Sequence, residues 1–262
     1  MIKLKQQNII VLGAGLSGTA AAQLAAREGA QVYLFDEAPM EKLAEHFASL
    51  SASGICCYAD WRATCWDNSF SPALAIISPG IKPESKLGRL AANLPCPILS
   101  ELAFGAAFCP SPMLAVTGSN GKTTSVEMLT YCLKAAGAKA IAAGNIGIPL
   151  SQVALQEEKW DYVVVEVSSF QLEYASGFHP AAAALLNITP DHLDRHGTFE
   201  NYRNLKLKLL QQVPEKGLLA LKKELLNDSV IAAALKNRSF LTFSAEPGQK
   251  ADFCCSDTAI GT

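Results

Sequence analysis

The 262-residue sequence predicts an α/β protein made of two parallel-sheet domains in succession. Three observations predict it. Short apolar runs alternate with helical stretches along the chain. Two of those runs end in glycine-rich turns that open a helix, GAGLSG at 13–18 and TGSNGKTT at 117–124. Between them CPSP, at 109–112, places two prolines in three residues and breaks the pattern.

The elements follow in order. Residues 8–12 form an apolar run that stops at glycine, an alanine-rich stretch over 17–28 reads as helix, and 31–35 as a second strand. The run 73–77 ends in Ser78, Pro79 and Gly80; an extended piece at 97–99 then leads into a short apolar helix over 100–108. A Rossmann-like domain over 1–95 and a linker segment over 96–112 are expected. From 113 the pattern restarts with a strand at 113–117, a helix over 122–136, and strands at 139–143, 162–167 and 182–188. A helix over 199–212, a strand at 217–221, a helix around 228–235 and a closing stretch of alternating strand and turn complete a P-loop-type domain over 113–262. The chain stops without a helix or a cap, so a continuation is expected.

Composition narrows the partner. Half the residues are hydrophobic and 18% charged, with 22 Lys and Arg against 24 Asp and Glu, a formal charge of −2. So even a balance gives no footprint for nucleic acid or an anionic membrane, and a metabolite is the expected partner. The eight cysteines form no CxxC pair, which suggests neither a zinc site nor a disulfide framework. The N-terminus reaches glycine within five apolar residues, too few for a signal peptide, and no apolar run approaches the roughly 18 residues of a membrane span. A cytoplasmic chain is expected.

Gly13, Gly15 and Gly18, with Asp36 after the second strand, have the spacing of a dinucleotide turn, in which glycines let a pyrophosphate approach a helix N-terminus. Nothing downstream resembles a hydride-transfer site, and a turn that merely packs helix on strand has the same pattern. The second turn is more specific. Backbone N–H groups of Gly118, Ser119, Asn120, Gly121 and Lys122 would cradle phosphates, Lys122 would meet the terminal ones, and Thr123, followed by Thr124, would offer a hydroxyl to Mg2+. It departs from the P-loop pattern in having Val116 five residues before Gly121. Glu166 ends the strand YVVVEV, where a carboxylate beside a phosphate loop suits magnesium; an edge strand with Glu166 in solvent is the alternative. Ser168, Ser169 and Gln171 follow it. Asp191, His192, Asp194, Arg195 and His196 crowd one polar loop, either solvated or supplying a second metal ligand, and the glutamate of a zinc-protease helix is absent. Lys206 stands among Leu205, Leu207, Leu209 and Leu210, a spacing that does not turn it plainly to solvent, although a helical lysine taken alone reads as surface salt-bridge material.

Together TGSNGKTT, VEVSSFQLE, GNIG at 144–147 and NITPDHLDRHGTFENYRNLKLKLL resemble the Mur ligases of bacterial peptidoglycan synthesis. The SSFQLE form is most similar to the branch that adds D-glutamate to UDP-N-acetylmuramoyl-L-alanine; a diamino-acid-adding branch and a non-catalytic sugar-nucleotide-binding module are the alternatives. The resemblance implies three domains, of which this chain would contain the first and most of the second, so complete ligase activity is not expected of it alone. It implies ATP and Mg2+, an acyl phosphate on the L-alanine carboxylate, and attack on it by the D-glutamate amine. By the same resemblance Lys122, Glu166, His192 and Lys206 are the catalytic set, and Thr123, Glu166, His192 and a carbamylated Lys206 hold metal. Leu16, Ser17, Asp36, Ser78, Gly80, Asn145 and Ser168 match positions contacting the UDP substrate or ATP. Glu37 and Ala38 stand where a hydroxyl and an arginine are often found.

Overall fold

The computed structural model describes residues 2–61, 71–246, 250–256 and 259–261. In chain order, the first part runs through β1 (Asn8–Leu12), α1 (Leu16–Arg27), β2 (Gln31–Phe35), α2 (Met40–Ala52), β3 (Cys56–Tyr58), β4 (Leu74–Ile77), α3 (Lys86–Asn93), β5 (Ile98–Ser100) and α4 (Glu101–Phe108). Its five strands lie parallel in the order β3-β2-β1-β4-β5. From Ile9 to Leu12 strand β1 is apolar because both sheet faces are covered. Ile9 and Val11 enter one buried cluster with Leu24, Leu34 and Ile76, while Ile10 and Leu12 enter another with Phe35, Ala75 and Leu87.

The second part comprises β6 (Met113–Thr117), α5 (Lys122–Ala135), β7 (Ala140–Gly144), α6 (Leu150–Leu155), β8 (Tyr162–Glu166), α7 (Ser169–Leu172), β9 (Ala182–Leu185), α8 (Leu193–His196), α9 (Phe199–Gln212) and β10 (Leu218–Lys222). A 3-10 turn (Lys223–Asn227), α10 (Ser229–Ala234), β11 (Phe240–Ser244), β12 (Phe253–Ser256) and β13 (Ala259–Gly261) follow. Among the described residues the strands form one eight-stranded sheet, β13-β12-β11-β10-β9-β6-β8-β7, parallel except for β12 with β13. Helix α9 is started by the Thr198 side chain, which accepts from Asn201 N–H. Arg238 closes its C-terminal end, its guanidinium donating to Leu210 O in the last turn and to Val213 O and Pro214 O just beyond.

The chain divides into two compact units that are not contiguous in sequence. The first holds residues 1–110, 148–158 and 173–178; the second holds 111–147, 159–172 and 179–262. Helix α6 thus belongs to the first unit, where it packs on α4 and α1. Glu101, buried at the start of α4, accepts from Ser151 N–H at 2.6 Å, and Arg27 donates to Ala154 O at 2.8 Å. The segment 96–112, expected as a linker, is part of the first unit as far as Pro110; β5 and α4 lie where the extended piece at 97–99 and the helix over 100–108 were expected. No helix among the described residues is long and apolar enough to cross a membrane.

Candidate active site

In the first unit the predicted nucleotide-binding residues gather at the C-terminal ends of β1, β2 and β4, where the strand order reverses. Gly18 permits the turn after β1: a Cβ there would lie 1.7 Å from Gly13 O. Ser78 donates to that same carbonyl at 3.3 Å. Both Asp36 carboxylate oxygens are engaged by main chain, Oδ2 by Ala14 N–H at 2.7 Å and Oδ1 by Ala38 N–H at 2.8 Å. Asp36 therefore fixes the glycine turn. Leu16 and Gly80 are exposed, Ser17 is half-buried, and Glu37 accepts from Leu87 N–H in the first turn of α3.

In the second unit, Thr117 ends β6 and α5 begins at Lys122, so residues 118–121 form the phosphate-loop turn, with Gly121 left-handed at φ 81°. The loop is held by the segment that follows β9, the strand paired with β6. Asn187 accepts from Asn120 N–H and donates back to Asn120 O, at 2.8 and 2.9 Å, and Ser119 N–H donates to Asn187 O. Lys122 Nζ folds back onto the loop, donating to Gly118 O at 3.0 Å and Ser119 O at 2.8 Å. Thr124 is exposed on α5.

Glu166 lies at the end of β8, between β6 and β7, paired with Val116 and Gly144, and is 2% exposed. The edge-strand alternative is thereby excluded. Its carboxylate accepts from Thr123 Oγ1 and from Asn145 Nδ2, each at 2.8 Å, and neither partner carries charge. Asn145 reaches it because β7 and β8 close tightly: Gly144 has φ 100°, and a Cβ there would sit 2.4 Å from Glu166 O.

Lys206 is 1% exposed, contrary to its reading as a surface lysine. Its ammonium donates to Gly118 O at 2.9 Å, the carbonyl that Lys122 also contacts, and stands 4.6 Å from the centre of the Tyr202 ring. Burial, with the neighbouring Lys122 charge, lowers its pKa to about 7. Ser168 and Gln171 are mutual partners in a capping box: Ser168 N–H donates to Gln171 Oε1 and Gln171 N–H to Ser168 Oγ, which starts α7. His192 is left-handed at φ 50°, exposed, with its ring 4.8 Å from Phe170 and Nε2 3.4 Å from Asp191. The structure thus joins Thr123, Glu166 and Asn145, and brings Lys122 together with Lys206. No hydrogen bond joins His192 to Glu166, and among the described residues no three His, Cys, Asp or Glu side chains gather as a metal cage. Tyr202, Asn187 and Thr189 also shape the loop but were not singled out from the sequence. Tyr202 had one usable signal, its i, i+4 spacing from Lys206 on α9.

A Rossmann-like domain followed by a P-loop-type α/β domain is the class that fold and site define. The Mur ligase middle domain matches residues 116–257, over half the chain, and the chain belongs to the Mur ligase family. A second description, the C-terminal domain of alanine dehydrogenase/PNT, matches residues 2–57. The UDP-N-acetylmuramoylalanine–D-glutamate ligase of Thermoanaerobacter pseudethanolicus is 34% identical over 240 residues, covering 91% of this chain and 51% of the relative. That of Geobacter sp. strain M21 is 38% identical over 211 residues, covering 80% and 46%. The chain spans about half the length of the curated relatives it matches. The fold is that of the UDP-N-acetylmuramate:L-alanyl-gamma-D-glutamyl-meso-diaminopimelate ligase of Neisseria meningitides, with TM-score 0.59 at 20% identity over 95% of this chain and 80% of that one. MurF from Thermotoga maritima, solved in complex with ADP, superposes with TM-score 0.50 at 19% identity over 97% and 51%.

Proposed function

We propose that the chain carries the sugar-nucleotide and ATP sites of a ligase that joins D-glutamate to UDP-N-acetylmuramoyl-L-alanine in cytoplasmic peptidoglycan precursor synthesis. The observation that carries it is the convergence of Lys122, Lys206 and the Thr123–Glu166 pair on one strand-to-helix phosphate loop. The SSFQLE block and the printed activity of the relatives favour D-glutamate over a diamino acid.

The residues present fit magnesium. Glu166 is a buried carboxylate beside the Thr123 hydroxyl, hard oxygen donors that among the described residues hydrogen-bond neutral partners. Thr123 would hold one ion with the phosphates, and Glu166 and His192 a second, with a carbamylated Lys206 in support. When bound, Mg2+ supplies positive charge where two polyanions must approach. The chain's own groups supply the rest. Main-chain N–H groups of 118–122 and the start of α5 bind the phosphates, and Lys122 exchanges the carbonyls of Gly118 and Ser119 for the terminal phosphate. With ATP so aligned, the substrate's L-alanine carboxylate attacks the γ-phosphorus, releasing ADP and giving an acyl phosphate. The D-glutamate amine then adds to the acyl carbon, loses a proton, and inorganic phosphate leaves with the amide formed. A lysine with a pKa of about 7 is partly neutral at physiological pH, the state in which an amine adds CO2. Leu16, Ser17, Asp36, Ser78 and Gly80 shape the proposed uridine and phosphate site, Asp36 through the turn it fixes. Asn145 and Ser168 lie in the second unit.

Calorimetric titration with UDP-N-acetylmuramoyl-L-alanine, with Mg-ATP, and with NADH as the control dinucleotide tests this proposal. Saturable binding of the first two and none of NADH is the expected result. NADH binding without sugar-nucleotide binding would overturn the assignment of the first unit.

A further inference from the structure

Tyr202 has no part in the chemistry above, yet it is 1% exposed and stands at a junction of the second unit. Its hydroxyl lies 2.9 Å from Ser119 Oγ in the phosphate loop. Proton accounting fixes the direction of that bond. Ser119 has a single hydroxyl proton, which it donates to Thr189 O at 2.9 Å; it also accepts from Thr189 N–H at 2.9 Å. Its remaining capacity is one acceptor position, so the Tyr202 hydroxyl is the donor. The Tyr202 ring meanwhile packs 5.5 Å from the ring of His196 and lies under the Lys206 ammonium. His196 Nε2 in turn reaches Ser169 Oγ at 2.9 Å, at the start of α7.

We propose that Tyr202 is a positioning residue for nucleotide binding: by donating to Ser119 it completes the bonds that hold the phosphate-loop backbone in register with α9 and with the loop after β9. The inference rests on residues 118–122 being the nucleotide site. Ser119 is attached to Thr189 and Tyr202 through its side chain and to Asn187 through its N–H, so two separate elements, α9 and the loop after β9, fix one loop residue. Loss of one attachment leaves a buried hydroxyl short of a partner and lets the loop amides turn away from a common focus. Burial raises the Tyr202 pKa, which keeps the hydroxyl a donor throughout the neutral range.

The test is a double-mutant cycle read in two affinities on the 262-residue chain. Tyr202→Phe keeps the ring against His196 and Lys206 and removes the one donor; Ser119→Ala removes its acceptor. Tyr202→Phe is expected to weaken Mg-ATP binding about 3- to 10-fold, a typical worth of one hydrogen bond, while UDP-N-acetylmuramoyl-L-alanine binding stays within twofold. Ser119→Ala is expected to weaken Mg-ATP at least as much, and Tyr202→Phe to add nothing further in that background. Circular dichroism of each variant matching the wild type separates loss of the bond from loss of the fold. Unchanged Mg-ATP affinity in Tyr202→Phe, full additivity in the double variant, or equal loss of both ligands would each overturn the proposal. If the wild-type chain binds no Mg-ATP at all, the nucleotide site itself is refuted, and this inference with it.

Discussion

Lys122 and Lys206 share one carbonyl acceptor and differ in what surrounds them. Lys122 is half-buried and, among the described residues, bonds the carbonyls of its own loop, so its replacement removes a phosphate partner and little else. Lys122→Ala should abolish measurable Mg-ATP binding while sugar-nucleotide binding stays within about twofold; calorimetry that found both lost would mean one shared site. Lys206 is a stability question as well. Its folded pKa, about 7, lies below the unfolded 10.5. The unfolded chain therefore binds more protons across that window, and wild-type stability rises with pH from about 7 to 10.5. Below pH 7 the full penalty of a buried ammonium is present. Lys206→Met should raise stability most at pH 7 and below, and its advantage should shrink by about 2 kcal/mol on going to pH 9. Urea unfolding of both proteins at the two pH values, in CO2-free buffer, measures this. An advantage independent of pH would show that Lys206 keeps an ordinary pKa.

At the scale of elements, the β7–β8 contact sets where Glu166 and Asn145 meet, and Gly144 sets that contact. Gly144→Ala combines a left-handed backbone with a 2.4 Å approach to Glu166 O, whereas Gly137, at φ 88°, has open space around it. Gly137→Ala should lose about 1 kcal/mol and Gly144→Ala at least about 2 kcal/mol. Thermal or urea unfolding compares them, and equal losses would refute the steric part. Gly144 also illustrates what the sequence could disclose. Apolar runs bounded by glycine made β1, β2, β6 and the start of α5 legible, because both faces of those strands are buried. Helix α2 buries only Phe47 and Leu50, and α6 has six residues behind Pro149, so neither produced a clear period. In the site, Thr123 and Glu166 could be read because a strand end and a helix start are local features. Lys206 was reached only through the family resemblance, since its bond to Gly118 spans 88 residues. Asp36 and Ser168 were located as residues, while their bonds to Ala14 and Gln171 needed coordinates.

At the scale of the molecule, the first unit is assembled from pieces that the chain supplies at different times. Residues 1–110 carry the whole five-stranded sheet, yet α6 and residues 173–178 are needed to complete it. The reason lies in α4. Phe104 is fully buried in the cluster that also holds Leu24 and Ala154, and Glu101 is closed off by the Ser151 N–H. A polypeptide of residues 1–110 would lay open that apolar face of α1 and α4, and Ser100 N–H would lose the Tyr174 carbonyl it bonds at 2.7 Å. Glu101 would respond in a readable way. Burial raises its pKa to about 7 in the folded chain against 4.5 for the free group. The protonated form is therefore favoured by folding, and its contribution, complete below pH 4.5, is lost as pH rises through 7. Glu101→Gln keeps an acceptor for Ser151 without the charge, and should stabilise the whole chain at pH 8 by about 1–3 kcal/mol. In residues 1–110 alone, with Glu101 open to water, that gain should vanish. Unfolding of the two proteins with and without the substitution separates these outcomes. An equal gain in both would mean that Glu101 is buried by residues 1–110 themselves, and that the returning segments are not required to close the first unit.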